Sequence, residues 1–218
     1  MELPIIRLLT TRAQRELASF QDAAMEMMYQ VDSSVVLHGG TAVWRCYGGN
    51  RFSNDIDVYL VSKEHMGKIR AGIGEAAEAY GISVEKVKDT GHLVFIGLAV
   101  STMYLKIEIN YWEKGIRPIA GRFEKVNGNY MEVRTLSAED LILEKIAAYS
   151  DRRFIRDIYD IYILSDKVLE SKAIGEKVLK FIGGIEPPVN AEVLRSLIYA
   201  GPAPSFDSMI RHIRGRFA

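Results

Sequence analysis

The chain has 218 residues, 48% hydrophobic and 26% charged, which is the balance of an ordinary globular protein. Basic and acidic residues number 28 each, which argues against a histone-like nucleic-acid binder but not against a local basic face. The single cysteine excludes an internal disulfide framework and a cysteine-rich zinc site. No apolar run approaches the roughly 20 residues that span a bilayer, and the N-terminus lacks a signal pattern. We therefore expect a cytoplasmic protein that does not contact membranes.

The first portion of the chain mixes helical and strand patterns. Apolar spacing predicts helices over residues 11–30, 41–47 and 64–80. Apolar runs and alternation predict strands over residues 35–37, 55–60, 82–87, 92–99 and 103–111. An Asn-Gly-Asn turn predicts a hairpin of residues 122–126 and 130–134.

The pattern changes near Leu136. Ser137 and Asp140 have the spacing of residues that begin a helix, and the remaining chain is mostly helical, with breaks at two proline-containing segments. We therefore predict a mixed α/β domain over residues 1–135 and a helical domain over residues 136–218.

Asp55 and Asp57 lie two apart in a predicted strand. Because side chains alternate along a strand, both carboxylates face one way and Ile56 and Val58 face the other. Two carboxylates on one face repel each other, and a divalent metal ion would remove that repulsion. This pair is therefore a candidate site for Mg²⁺ or Mn²⁺.

Two further features extend this candidate site. Gly39-Gly40 lies at a strand-to-helix turn, where bare backbone N–H groups can hold phosphate. Glu108 lies in a later strand and could supply a third carboxylate, the alternative being an exposed sheet face. Metal-binding carboxylates beside a phosphate-binding turn indicate nucleotidyl transfer with a nucleoside triphosphate (NTP) as substrate.

The order of these features matches a family. A strand, Gly-Gly-Thr, a helix and then Arg-Phe-Ser-Asn-Asp-Ile-Asp over residues 51–57 resemble the nucleotidyltransferase superfamily that includes DNA polymerase β. The chain is most similar to its AbiEii-type toxins, whose pattern runs roughly Gly-Gly-Thr-Ala, then Arg, then Arg-x-Ser/Thr-x-Asp-Ile-Asp. The resemblance implies an α+β fold: a polymerase β-like core with a mixed sheet, followed by a helical C-terminal region. It also places Gly39, Gly40, Thr41 and Ser53 at the nucleotide.

A second block strengthens the resemblance. Residues 144–164 contain a lysine, an arginine some residues later and then Arg-Asp-x-x-Asp, as in the family's helical motif. If the helix is continuous, one stripe of it carries Lys145, Tyr149, Arg152, Arg156 and Asp160. Without the resemblance, a solvated charged face explains this stripe equally well. With it, Lys145 is expected to bind phosphate, because a compact ammonium suits a triphosphate.

The same resemblance suggests roles for two acids and for the whole chain. Asp157 and Asp160 are expected to hold the supporting helix or the bound nucleotide. The chain is expected to transfer a nucleoside monophosphate to an acceptor hydroxyl, the tRNA 3′ end being one acceptor, and to be a toxin with a separate antitoxin protein. A small-molecule nucleotidyltransferase of the aminoglycoside-modifying sort and a catalytically silent nucleotide-binding regulator are the alternatives. Intact Asp55, Asp57 and Glu108 count against the silent regulator.

Overall fold

The computed structural model describes residues 3–60, 62–111, 117–169 and 171–218. The helices are α1 (Ile5–Leu8), α2 (Arg12–Val31), α3 (Gly39–Tyr47), α4 (Lys63–Ala79), α5 (Ala138–Arg152), α6 (Ile155–Ser165), α7 (Ser171–Gly183), α8 (Leu194–Leu197) and α9 (Phe206–Phe217). The strands are β1 (Val36–His38), β2 (Ile56–Leu60), β3 (Ser83–Asp89), β4 (Leu93–Val100), β5 (Met103–Tyr111), β6 (Ile119–Glu124) and β7 (Tyr130–Thr135). The elements from α2 to β7, and the start of α5, follow the predicted order, with ends displaced by a few residues, whereas α1 was not predicted.

The strands form one seven-stranded mixed sheet in the order β3-β4-β5-β2-β1-β7-β6. The β2–β5 and β1–β7 pairs are parallel, and the remaining neighbours are antiparallel. The centre of the sheet therefore joins strands that are distant in sequence. This places β2, with the Asp-x-Asp pair, beside β5.

One face of the sheet carries much of the hydrophobic core. Apolar side chains alternate along the central strands and are fully buried, with α2 packed against β5 and α4 against β2 and β3. They are Ile56, Val58, Leu60, Val94, Ile96, Leu98, Leu105, Ile107 and Ile109. Because side chains alternate, the intervening residues of β2 and β5 emerge on the opposite face, where α3, α5 and α6 pack together.

The C-terminal region is helical, as predicted, and its core is continuous with that of the sheet. Ser137 begins α5 by accepting a hydrogen bond from the Asp140 amide at 3.1 Å. Residues 136–218 pack through α5 and α6 against α3, so the two regions share a boundary at the site described below. The division into domains at residues 135 and 136 stays a prediction.

The single stripe, which depended on a continuous helix, is wrong, because this stretch forms two helices. α5 ends at Arg152, Arg153 adopts a left-handed conformation with φ 52°, and α6 begins at Ile155. Lys145, Tyr149 and Arg152 therefore remain on α5, whereas Arg156 and Asp160 lie on α6. The Tyr149 hydroxyl donates to the Glu186 carbonyl oxygen at 2.7 Å. Among the described residues, no helix has the length and apolar character needed to cross a membrane.

Candidate active site

The strand register brings the predicted carboxylates to one place. Asp57 of β2 is the direct partner of Glu108 on parallel β5, and His38 of β1 is the partner of Asp57 on its other side. Asp55 lies just before β2 and lines the same cavity. Three acids from two distant segments of the sequence therefore line one wall.

The two glycines are required by close packing at this wall. Gly39 has φ +69°, and a Cβ atom there would lie 2.9 Å from the Asp57 Cβ atom, too close for any side chain. A Cβ atom at Gly40 would lie 2.8 Å from the Ser53 hydroxyl oxygen and 2.5 Å from the Arg51 guanidinium. The turn therefore approaches the carboxylates and the buried arginine more closely than any residue with a Cβ atom could.

Two residues of the predicted nucleotide site occupy different positions. Ser53 lines the cavity beside Gly40. Thr41 is fully buried, and its hydroxyl donates to the Asp55 carbonyl oxygen at 2.5 Å. Thr41 therefore fixes the chain at the start of β2, and its contact with a nucleotide stays a prediction.

Lys106 sits among the carboxylates. It lies two residues before Glu108 on β5, and its ammonium is 2.5 Å from Glu108 Oε1 and 3.5 Å from Asp55 Oδ2. The hydrogen bond to Glu108 raises the pKa of Lys106. The cavity wall thus contains its own cation.

Asp57 has the most perturbed environment of the three acids. Burial of its carboxylate raises its pKa, and the charges of Glu108 and Asp55 add to that rise, while His38 and Lys145 oppose it. The ionised form of Asp57 is therefore disfavoured until a cation approaches it.

The opposite wall is a buried ion-pair network centred on Asp160. Arg51 binds this carboxylate through two nitrogens, at 2.8 and 2.7 Å, and the Lys145 ammonium lies 2.7 Å from Asp160 Oδ2. Burial by itself would raise the pKa of Asp160, but Arg51 and Lys145 lower it below its ordinary value. Asp160 therefore remains ionised and fixes both cations.

Asp157 has the same role near the start of α6. Its fully buried carboxylate accepts two hydrogen bonds from Arg152, at 2.9 and 2.8 Å, and lies 3.9 Å from the Lys145 ammonium. Asp157 thereby ties the end of α5 to the start of α6 across the helix break. This pairing joins Lys145 and Arg152 of α5 to Asp157 of α6, although the helix is broken between them.

Arg156 differs from the other cations of this wall. It lies half-buried in the first turn of α6, and no carboxylate of the described residues is within ion-pairing distance of it. Burial and the neighbouring Arg152 lower its pKa. Its guanidinium lies 5.6 Å from the centre of the Phe154 ring. Arg156 is thus available to an anion that enters the cavity.

The two walls enclose a polar cavity of about 220 Å³. It is lined by Gly40, Arg51, Phe52, Ser53, Asn54, Asp55, Asp57, Lys106, Glu108, Lys145, Arg152, Arg156 and Leu197. A larger groove, of about 410 Å³, lies elsewhere between α2 and the β4–β5 turn, but its lining is mostly apolar. The charges that chemistry on a phosphate needs converge only in the former of these two.

A further set of contacts joins the two walls behind the cavity. Glu144 accepts a hydrogen bond from the Tyr59 hydroxyl at 2.8 Å and lies 3.3 Å from His38 Nδ1. The His38 and Tyr59 rings stack with centroids 3.9 Å apart. Burial would raise the pKa of Glu144, but His38 and Tyr59 lower it. These contacts hold α5, which carries Lys145, against β1 and β2.

The donor set fits a hard divalent cation by its chemistry, because Mg²⁺ and Mn²⁺ prefer carboxylate oxygens. Within the described residues, no three Asp, Glu, His or Cys side chains are arranged so that they could hold a metal ion. The Lys106 ammonium lies between Asp55 and Glu108 instead. Gathering these oxygens around one ion therefore requires Lys106 to move.

Sequence reasoning located one wall of the cavity better than the other. Asp55, Asp57, Glu108, Gly40, Ser53 and Lys145 all line the cavity, whereas Gly39, Thr41, Asp157 and Asp160 support it from behind. Lys106 and Arg51 were not predicted as site residues, although Lys106 shares the strand face of Glu108. The alternation along β5 was the signal that could have identified Lys106.

Comparisons with known proteins agree with this geometry. The chain matches the family described as "Nucleotidyl transferase AbiEii toxin, Type IV TA system" over residues 27–210. No curated protein matches the chain.

Two solved structures are similar in fold. MenT4, a nucleotidyltransferase toxin from Mycobacterium tuberculosis H37Rv, is 19% identical with a TM-score of 0.64, the alignment covering 94% of this chain and 83% of that one. JHP933 from Helicobacter pylori is 19% identical with a TM-score of 0.60, covering 95% of this chain and 91% of that one. These similarities confirm the predicted α+β, polymerase β-like fold.

Proposed function

The chain belongs to the AbiEii nucleotidyl transferase toxin family, and we infer from its cavity how it carries out nucleotidyl transfer. We propose that the cavity binds an NTP and transfers its nucleoside monophosphate to an acceptor hydroxyl. The observation that carries this proposal is the pairing of two walls. Three carboxylates at β2 and β5 face the cations of α5 and α6 in one cavity of about 220 Å³. A triphosphate that is bound to a divalent metal ion needs both kinds of group.

The reaction forms one bond and breaks one bond at the α-phosphorus. The acceptor hydroxyl releases its proton to water as its oxygen bonds to this atom, the bond to the bridging oxygen of the β-phosphate breaks, and pyrophosphate leaves. Asp55, Asp57 and Glu108 would hold the metal ion, which when bound supplies Lewis-acid stabilisation and a more acidic acceptor hydroxyl. Burial raises the pKa of Asp57, so an added cation would stabilise the charged form of this carboxylate.

The helical wall, formed by the cations of α5 and α6 with Asp157 and Asp160 behind them, binds the triphosphate in this proposal. We propose that Lys145 and Arg156 contact its oxygens and neutralise the charge that develops on the leaving pyrophosphate. Lys145 is held rigidly by Asp160, so it is already oriented before the nucleotide arrives. Arg156 lacks a carboxylate partner among the described residues, so it does not have to give up an ion pair to bind phosphate.

The proposal extends to an acceptor and to a partner protein, the latter suggested by the toxin–antitoxin system of the family description. We propose a tRNA 3′ end as acceptor, since its terminal hydroxyls are the groups that such a transfer needs, and a separate antitoxin protein as partner. The arginines at the cavity provide phosphate contacts for an RNA acceptor.

Labelled nucleotide transfer tests this proposal. The purified chain is incubated with total tRNA, Mg²⁺ or Mn²⁺, and each of the four NTPs labelled at the α-phosphate. We expect label on tRNA with wild type and none with Asp57→Asn. Asp207→Asn, which removes an exposed carboxylate outside the cavity, is the matched control and should retain activity. Failure of every NTP to label tRNA would reject the proposed acceptor, and label on an added aminoglycoside instead would favour the small-molecule alternative.

A further inference from the structure

Lys106 lies among the carboxylates that would hold a metal ion. Its ammonium contacts Glu108 at 2.5 Å and Asp55 at 3.5 Å, although these acids lie far apart in the sequence. The Phe95 ring on neighbouring β4 lies 5.9 Å from the same ammonium. Lys106 therefore offsets part of the negative charge of the strand wall, which is formed by Asp55, Asp57 and Glu108.

We propose that Lys106 is an internal counter-ion that leaves Asp55 and Glu108 for the triphosphate when the nucleotide binds, so that metal binding depends on the nucleotide. This inference rests on the proposed function and deepens it. Its consequence is an order of binding: the free protein takes up a divalent cation poorly, and the metal enters together with the NTP.

The exposure of Lys106 makes this displacement feasible. Its side chain is 34% exposed, and those of Asp55 and Glu108 are 45% and 25% exposed. Ion pairs between partly exposed groups are weak, so they exchange readily for a stronger partner. A lysine ammonium also sits on a flexible four-carbon stem and can turn towards a nearby anion without movement of its strand.

Lys145 cannot take this role. Its side chain is 9% exposed, and its ammonium is held by Asp160 at 2.7 Å in a network that also contains Arg51. Removing Lys145 from that position would leave a buried carboxylate with one cation fewer, which is costly. Of the two lysines among the described residues that line the cavity, Lys106 on the strand wall is therefore free to move, and Lys145 on the helical wall is held in place.

Charge repulsion favours the exchange. An ammonium within about 4 Å of the metal-binding oxygens repels a divalent cation that approaches them. The triphosphate offers Lys106 a new anionic partner and at the same time brings oxygens to the metal ion. Nucleotide and metal should consequently bind with positive coupling, each increasing the affinity for the other.

Binding of Mn²⁺ alone, measured by calorimetry or electron paramagnetic resonance on the full chain, tests the proposal. We expect Lys106→Met to bind Mn²⁺ without nucleotide at least about tenfold more tightly than wild type. Lys125→Met is the matched control, because Lys125 also pairs with a glutamate, Glu26 at 2.6 Å, but lies outside the cavity lining. Its Mn²⁺ affinity should equal that of wild type.

A second arm repeats the titration with a non-hydrolysable NTP analogue. The analogue should increase the Mn²⁺ affinity of wild type much more than that of Lys106→Met, and Lys106→Gln should behave like Lys106→Met if the methionine variant folds poorly. Equal Mn²⁺ affinity of folded wild type and Lys106 variants without nucleotide would overturn the proposal. That result would leave nucleotidyl transfer intact, because the labelled-transfer assay reads the proposed function separately.

Discussion

The two walls of the cavity use the same residue types in opposite ways. On the strand wall, Asp55 and Glu108 are partly exposed and share one lysine. On the helical wall, Asp157 and Asp160 are 0% and 1% exposed, and each accepts two hydrogen bonds from an arginine.

This difference separates groups that bind ligands from groups that support the fold. A buried carboxylate that is fully paired has no capacity left for a ligand, and breaking its pair is costly. A partly exposed carboxylate with a weakly held partner can exchange that partner for a metal ion. Pairing and burial, rather than residue type, therefore assign the roles of the five acids.

The largest effect is expected from the strand wall. Asp57→Asn should reduce nucleotide transfer by about 10³-fold or more, because a ligand of the metal ion is lost. Its melting temperature at neutral pH should not fall, since burial and neighbouring acids raise the pKa of Asp57 and make its charged form unfavourable. Labelled-transfer rates and thermal melts measure the two effects. Activity within about tenfold of wild type would place Asp57 outside the chemistry.

On the helical wall, a substitution at Asp160 should affect stability rather than leave it unchanged. Asp160→Asn is expected to lower the free energy of unfolding at pH 7 by about 3–5 kcal/mol, because it leaves Arg51 and Lys145 without their buried partner. Denaturant unfolding measures this loss. Asp207→Asn, at an exposed position of α9, is the control and should change stability by less than about 0.5 kcal/mol.

The loss of stability caused by Asp160→Asn should depend on pH in a defined way. The pKa of Asp160 in the folded protein lies below its ordinary value, so its ion pairs stabilise the fold fully above that ordinary value, about 4. The difference in stability between wild type and Asp160→Asn should therefore be constant from pH 7 to about pH 5 and should shrink as the pH falls further. A difference that grows in acid would contradict this account.

A substitution at Lys145 should affect both activity and stability, because Lys145 lines the cavity and also belongs to the buried ion-pair network. Lys145→Ala should slow transfer by about 10²–10³-fold through loss of phosphate stabilisation. It should also lower the melting temperature, because the ammonium is buried against Asp160. Lys125→Ala, outside the cavity, is the comparison variant. A transfer rate within about threefold of wild type would reduce Lys145 to a structural cation.

The smallest effect is expected at Arg156. Arg156→Ala should raise the KM for the NTP by about tenfold with little change in melting temperature, because no buried ion pair is broken. Steady-state kinetics measures it, with Arg12→Ala, an exposed arginine of α2, as control. An unchanged KM would mean that the free guanidinium serves the acceptor rather than the nucleotide.

The strand wall was largely readable from the sequence. Alternation in residues 55–60 and 103–111 put Asp55 with Asp57, and Lys106 with Glu108, on single strand faces. What alternation does not specify is the parallel pairing of β2 with β5, which skips two intervening strands and sets Asp57 beside Glu108. The contact between Lys106 and Asp55 depends on that non-local pairing and was not foreseen.

The helical wall was harder to predict because its break carries no ordinary signal. Left-handed residues at helix ends are usually glycine or asparagine, and here the residue is Arg153. The periodicity therefore continued through the break and suggested one stripe. Lys145 still reaches Asp160 because Asp157 and Arg152 connect the two helices, a tertiary contact that spacing cannot show.

A crystal structure of the chain soaked with Mn²⁺ and a non-hydrolysable NTP tests the division between the two walls most directly. We predict anomalous density for Mn²⁺ at Asp55, Asp57 and Glu108, with the triphosphate against Lys145 and Arg156 and the Asp160 pairs unchanged. Manganese bound away from these three carboxylates, or a triphosphate that displaces Arg51 from Asp160, would contradict the account.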